Sequence, residues 1–285
     1  MTLFGCDSSN NNFSDISQVA PLIQNMQQTG FSWIEAKVSQ GSDFQDEYWP
    51  ATLAACQAIG FPVIGYHFVD TSDPATQAAC FVGNNGGNVA MLDVEDGAGD
   101  ITNFWAVVDA FNAAGVQVVL SYIPQWYWED IGSPDLSQVP GLISSAYPTT
   151  VSGFASSLYF SDGGASGEGW APYGGATPVI WQFTDAADVD GFSLDCNAFE
   201  GTLDQLTALL TGVPVTQPPA PTPPAPTNPP AIPEPADQAD QVSDLWGQLL
   251  TRWEFLGGNT PVEALGAIGA ALKIPGYTNP LGDNS

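Results

Sequence analysis

The sequence predicts an α/β fold: an irregular TIM-like (β/α) barrel, then a Pro-rich linker and a small C-terminal α-helical hairpin. Three observations carry this. Short apolar runs rich in β-branched and aromatic residues alternate with helix-like stretches, the pattern of parallel strands joined by crossover helices. Runs such as Phe61-Pro-Val-Ile-Gly and Val116-Gln-Val-Val-Leu are apolar almost throughout, as befits strands buried on both faces. From residue 214 to 235 there are 11 prolines in 22 residues, a composition that supports neither helix nor sheet interior. As an extended spacer at ~3.1 Å per residue it would reach roughly 70 Å. The expected units are a barrel over 1–212, a linker over 213–236 and a helical module over 237–285.

In chain order, strands are expected at 3–7, 31–37, 61–68, 89–95, 116–122, 141–147, 157–160 and 179–183, and helices at 19–29, 47–59, 74–82, 101–114 and 203–210. The Gly-rich stretch 162–175 reads as loop, so the second half is expected to be irregular or only partly closed. Beyond the linker, Val242, Leu245, Trp246, Leu249, Leu250 and Trp253 fall on one helical face. Gly257 and Gly258 end that helix, and Thr260-Pro261 opens a shorter one. Two such helices bury little alone. The alternatives are packing on itself or a second copy, or anchoring on a surface or another protein.

The chain has 285 residues, with 3 basic against 31 acidic side chains and a net charge of −28. Nucleic acid and anionic membrane surfaces would repel it. No run approaches the ~18 apolar residues of a membrane-spanning helix, so no membrane insertion is expected. The N-terminus lacks the basic and apolar regions of a signal peptide, so synthesis in the cytoplasm is expected. Cys6, Cys56, Cys80 and Cys196 are widely spaced and there is one histidine, His67. Neither a metal site nor a cofactor is expected. Cys6 and Cys196 could pair only if the first and last strands of a closed barrel lie side by side.

In a parallel barrel, polar side chains at the C-terminal strand ends converge on one site. Here those ends carry carboxylates: Asp7 after the first run, Asp93 and Glu95 after the fourth, and Asp195 following the last. Strand alternation puts Asp93 and Glu95 on one face with Cβ atoms about 6.5 to 7 Å apart. Such a pair raises one pKa and keeps an acid protonated near neutrality. The plainer alternative is that both cap the next helix beside Asp96 and Asp100.

The sequence as a whole resembles the glycoside hydrolase family 25 lysozymes, the muramidases common among phage endolysins. Phe4-Gly-Cys-Asp7-Ser is similar to the family's opening strand, Lys37-Val-Ser-Gln-Gly41 to its Lys-Ala-Thr-Glu-Gly segment, and Tyr66-His67-Phe68 to its Tyr-His-Phe. Leu92-Asp93-Val94-Glu95 resembles its Asp-x-Glu strand, and Trp181-Gln182-Phe183 with Leu194-Asp195-Cys196-Asn197 its closing motifs. The likeness runs in order through residues 1–211. It implies cleavage of the β-1,4 bond between N-acetylmuramic acid and N-acetylglucosamine in bacterial peptidoglycan. Glu95 would be the general acid, and Asp93 or Asp195 would orient the substrate's acetamide. Asp7 and Asp195 would line the pocket, with Tyr66, Lys37, Trp181, Gln182, Tyr122, Tyr147 and Asn197 as substrate-binding candidates. Tyr66 and Trp181 are expected to floor it for a sugar ring, and Trp126 and Trp128 to flank it. Lys37 could equally form an ion pair with Asp7 or Glu95, and His67 reads as a core residue. Two positions depart from the family pattern: Gln40 where it has Glu, and Phe44 where it often has Tyr. The expected role is an endolysin that lyses a phage host. The alternative is a virion-associated structural or glycan-binding protein with a muramidase-like barrel, and a weaker third is a hydrolase of a related glycan.

Overall fold

The computed structural model describes residues 1–213; the expected linker and helical hairpin lie outside them. Nine strands form one sheet: β1 (Thr2–Ser8), β2 (Trp33–Gln40), β3 (Phe44–Gln45), β4 (Val63–Phe68), β5 (Val89–Asp93), β6 (Gln117–Tyr122), β7 (Leu142–Ser145), β8 (Ile180–Val189) and β9 (Phe192–Glu200). The order is β1-β9-β8-β7-β6-β5-β4-β2-β3, and β1 also pairs with β2. Eight strands therefore close a barrel, with β3 a two-residue spur on β2. The barrel is parallel from β1 through β2 and β4 to β8, while β9 runs antiparallel to both neighbours.

Helices α1 (Val19–Thr29), α2 (Trp49–Ile59), α3 (Pro74–Gly83), α4 (Ile101–Ala113), α5 (Gln125–Asp130), α6 (Ala155–Ser161) and α7 (Leu203–Thr211) complete the unit. The first four begin and end where sequence signals place them. Asp73 and Asp100 cap α3 and α4 by accepting backbone N–H groups, and Gly30 and Gly60 end α1 and α2 in the left-handed conformation. Two expectations need correction. Residues 157–160 lie in α6, because Ala155, Leu158 and Tyr159 bury one helical face while Phe160 stays exposed. The last strand begins at Phe192, so Asp195 lies on it rather than after it. The barrel closes, and its second half is irregular as expected, with a four-residue β7 and the antiparallel pair β8 and β9.

Outward residues pack under the helices in two layers, one around Phe81, Phe104 and Phe111 and one around Leu22, Met26 and Phe183. The barrel interior is a third core. Trp33, Ile64, Leu120, Ile143, Ile180 and Phe199 fill it, and Leu206 and Leu210 of α7 join its base. Gly5 is required here because a Cβ at that position would overlap the Trp33 ring. Cys6 and Cys196 do face each other across β1 and β9, with Sγ atoms 2.6 Å apart and both thiols free.

Candidate active site

Above the Trp33 layer the interior turns polar. A pocket of about 310 Å3 opens at the C-terminal ends of the parallel strands, lined by Asp7, Lys37, Tyr66, Phe68, Met91, Asp93, Glu95, Tyr122, Tyr147, Gln182 and Asp195, with Ser9, Asn11 and Asn12 at one rim. Because β9 runs the opposite way, Asp195 reaches the mouth from near its strand's start. The turn Asp190-Gly191 that makes this reversal has positive φ at both residues, as a two-residue hairpin demands.

Of the catalytic and substrate-binding candidates, all but two line this pocket. Asn197 is fully buried one layer below and reaches the site only through hydrogen bonds. Trp181 is the clear correction. Gln182 points into the barrel, so its neighbour points out. The Trp181 indole is 0% exposed, packs on Tyr159, Trp170 and Phe183, and donates to the Ala146 carbonyl at 3.0 Å. It is a core residue and offers no face to a sugar. Trp126 and Trp128 do not line the pocket either; Trp126 is exposed on α5 and Trp128 packs on Tyr173.

Lys37 forms no ion pair with Asp7 or Glu95. Its ammonium donates to Gln40 Oε1 at 2.6 Å and stands over the rings of Phe68 and Phe44, 5.0 and 5.4 Å from their centroids. The two departures from the family pattern, Gln40 and Phe44, thus meet at the one lysine among residues 1–213. His67 is fully buried between Ser39 and Gln77, with its pKa held down to about 4 by burial.

Tyr147 donates to Gln182 Oε1, and Gln182 Nε2 donates to Asp7 Oδ2 at 2.7 Å and toward Asp195 Oδ2 at 3.4 Å. Burial is the leading cause of the shift at each carboxyl of the site. It raises Asp7, reinforced by Asp195 and Glu35, and raises Asp93, reinforced by Glu95. Glu95 is raised by burial against the pull of Lys37, and Asp195 is pushed up to about 6 by burial and Asp185. Asp93 Oδ1 is buried with no hydrogen-bond partner. No trio of His, Cys, Asp or Glu among the described residues is disposed to hold a metal ion.

Sequence reasoning missed Glu35, which is 1% exposed inside the barrel with a pKa raised to about 7 by burial. Its signal was its place in Trp33-Ile-Glu-Ala-Lys37, where alternation turns all three odd-numbered residues inward. The rim residues were also missed. Asp46 organises that rim by accepting the backbone N–H groups of Asn10 and Tyr48, each at 2.8 Å.

A closed barrel whose mouth gathers four carboxyl groups of raised pKa has the arrangement of a glycoside-cleaving hydrolase. The chain belongs to glycosyl hydrolases family 25, whose family model matches residues 7–192. Its fold is that of a muramidase from Trichobolus zukalii, at 19% identity and a TM-score of 0.57, over 74% of this chain and 99% of that one. A lysozyme from Streptomyces coelicolor matches at 19% identity and a TM-score of 0.57, over 74% and 98%. The catalytic domain of endolysin ply40 from bacteriophage P40 of Listeria monocytogenes matches at 16% identity and a TM-score of 0.52, over 75% and 97%. No curated protein matches the chain.

Proposed function

We propose that this glycoside hydrolase is an N-acetylmuramidase, cleaving peptidoglycan at the β-1,4 bond that follows N-acetylmuramic acid. The observation that carries the reading is the pair on β5 and just past it. Glu95 lines the pocket with a raised pKa, and beside it Asp93 has a buried oxygen that lacks a donor. Asp93 also lines the pocket, and an N-acetylated sugar seated beside Glu95 would present its acetamide N–H to that carboxyl. Asp195 needs that donor less, since Gln182 already points toward it.

In the resulting reaction Glu95 gives its proton to the leaving glycosidic oxygen as the C1–O bond breaks. The acetamide oxygen bonds to C1, and Asp93 holds the acetamide N–H and offsets the positive charge that develops. Water then adds at C1, Glu95 takes back a proton, and the ring formed by the acetamide reopens. Tyr66, Tyr122 and Met91 supply the apolar walls, and Lys37 keeps a cation among the carboxylates. The Pro-rich composition that follows the barrel in the sequence favours a lytic role in a phage, with residues 213–236 read as tether and 237–285 as docking unit.

The test is cleavage of purified cell walls with mass analysis of the released fragments. Glu95→Gln should abolish clearing while its thermal melt stays cooperative, and the parent's fragments should end in a reducing N-acetylmuramic acid. Retained lysis by that variant would sink the assignment of the acid, and reducing N-acetylglucosamine ends would sink the bond.

A further inference from the structure

Glu35 is a buried carboxyl of the barrel that lies outside the pocket lining and that the reaction above does not use. It stands on β2 directly opposite Asp7 in the parallel register of β1 and β2, below the pocket lining. Both of its oxygens are engaged. Trp33 Nε1 donates to Oε1 at 3.0 Å and Asn197 Nδ2 donates to Oε2 at 3.1 Å. The same Asn197 nitrogen also donates to Asp7 Oδ2 at 3.3 Å, so one NH2 group spans two carboxyls. The other end of that amide, Oδ1, is buried without a partner. An amide held in the orientation that orphans its own oxygen is held there by what its nitrogen binds.

We propose that Glu35 is a positioning residue of the glycosidase site: it grips the Asn197 amide from beneath and through it fixes the Asp7 carboxyl at the pocket floor. The proposal rests on the muramidase reading, because Asp7 matters only if the pocket above it does chemistry. The groups in electrostatic reach of Glu35 are Asp7 and Cys6 on β1 and Asp93 on β5. Beyond β1, β9 presents neutral Asn197 and β4 pairs it with Ile64, while its own strand places Trp33 below and Lys37 above. When Glu35 is ionised, its charge opposes ionisation of Asp7 and Asp93 and so holds protons in the pocket to higher pH. The indole of Trp33 fixes the lower end of this stack, so the grip on Asn197 is anchored on the hydrophobic floor of the barrel.

The test compares the full-length parent with Glu35→Gln on purified peptidoglycan from pH 5 to 9. The Gln amide keeps the shape but sets an NH2 against the NH2 of Asn197. We expect kcat to fall roughly tenfold to a hundredfold with KM within about threefold, and the acid limb of kcat/KM, set by ionisation of Asp93, to move down by about half a pH unit or more. A kcat within twofold of the parent with an unmoved limb overturns the proposal. Should Glu35→Gln not fold, Asn197→Ser cuts the same link from β9 while keeping the Glu35 charge; the same kcat loss with KM little changed supports it, and parental kinetics overturn it. If the parent itself cleaves no wall, the muramidase reading fails instead. The link is then read by carboxyl NMR titration, where Asp93 must ionise at lower pH in Glu35→Gln; an unchanged Asp93 titration overturns it.

Discussion

Raising the pH should weaken the parent fold relative to its Glu35→Gln variant by an amount the structure sets. Unfolded, Glu35 titrates near the ordinary 4.5; folded, burial holds its proton until about pH 7. Between those values the folded state binds more protons, so this contribution to stability is complete below pH 4.5 and is lost as pH rises to 7. About 2.5 pH units at ~1.4 kcal/mol each gives roughly 3 kcal/mol. No discount for solvent applies to a side chain that is 1% exposed. His67 works the other way. Its pKa falls from 6.5 to about 4 on folding, so it adds stability as pH rises from 4 to 6.5, by a similar amount. In the parent alone the two nearly cancel below pH 6.5, which is why the variant is needed. His67 is common to both proteins and drops out of their difference. Thermal melts of both at pH 4.5 and pH 8 should show the parent losing about 6 to 12 °C relative to the variant, at about 2 to 4 °C per kcal/mol for a domain of this size. A difference in Tm that stays constant across that range would refute the burial argument for Glu35.

Other perturbations separate floor, wall and surface. Trp181→Ala should cost about 3 to 5 kcal/mol of stability, yet leave activity per folded molecule within about twofold, since the indole faces the helices; a catalytic defect without a stability defect would return Trp181 to the pocket. Gly5→Ala should destabilise by about 1 to 3 kcal/mol through overlap with the Trp33 ring, read by chemical denaturation, and Trp33→Leu in the same chain should recover part of it. Raising salt from about 50 to about 200 mM should not weaken wall clearing by an enzyme of net charge −28 and should strengthen it where repulsion from an anionic wall is screened; a steep loss of binding would point to a cationic contact.

Most of the barrel is legible in the sequence because its parallel strands are apolar on both faces and its early helices carry caps. The closing hairpin is not, and the reason lies in what it does. In β9, Leu194, Cys196 and Ala198 face the helices while Asp195 and Asn197 face the site. The strand therefore loses the continuous apolar run that marks its neighbours. The Asp190-Gly191 turn was the available signal, flanked by alternating residues on both sides. The segment 157–160 failed for a different reason: Ser-Leu-Tyr-Phe favours strand by composition, and only the spacing of Ala155, Leu158 and Tyr159 shows the helix. At the site, carboxylates at strand ends were readable because few folds tolerate them there without purpose. Trp181 misled because aromatic identity was weighed above strand parity, which its neighbour Gln182 already settled. Glu35 went unnoticed because it matches no motif and sits mid-strand, where a carboxyl is least expected.

The pairing of β1 with β9 has a consequence in time as well as space. Gly5 lies opposite Asn197 and Cys6 opposite Cys196, contacts that span about two-thirds of the whole chain and nearly all of the barrel. During synthesis the first strand must wait, with one edge unsatisfied, until the last has left the ribosome. Asp7 and Asp195 come together only at that final closure, so a nascent or truncated chain carries the site carboxyls without a closed pocket. Long-range closure of this kind makes for slow folding, and it also ensures that the cell making the enzyme holds it as inert segments until the barrel is complete.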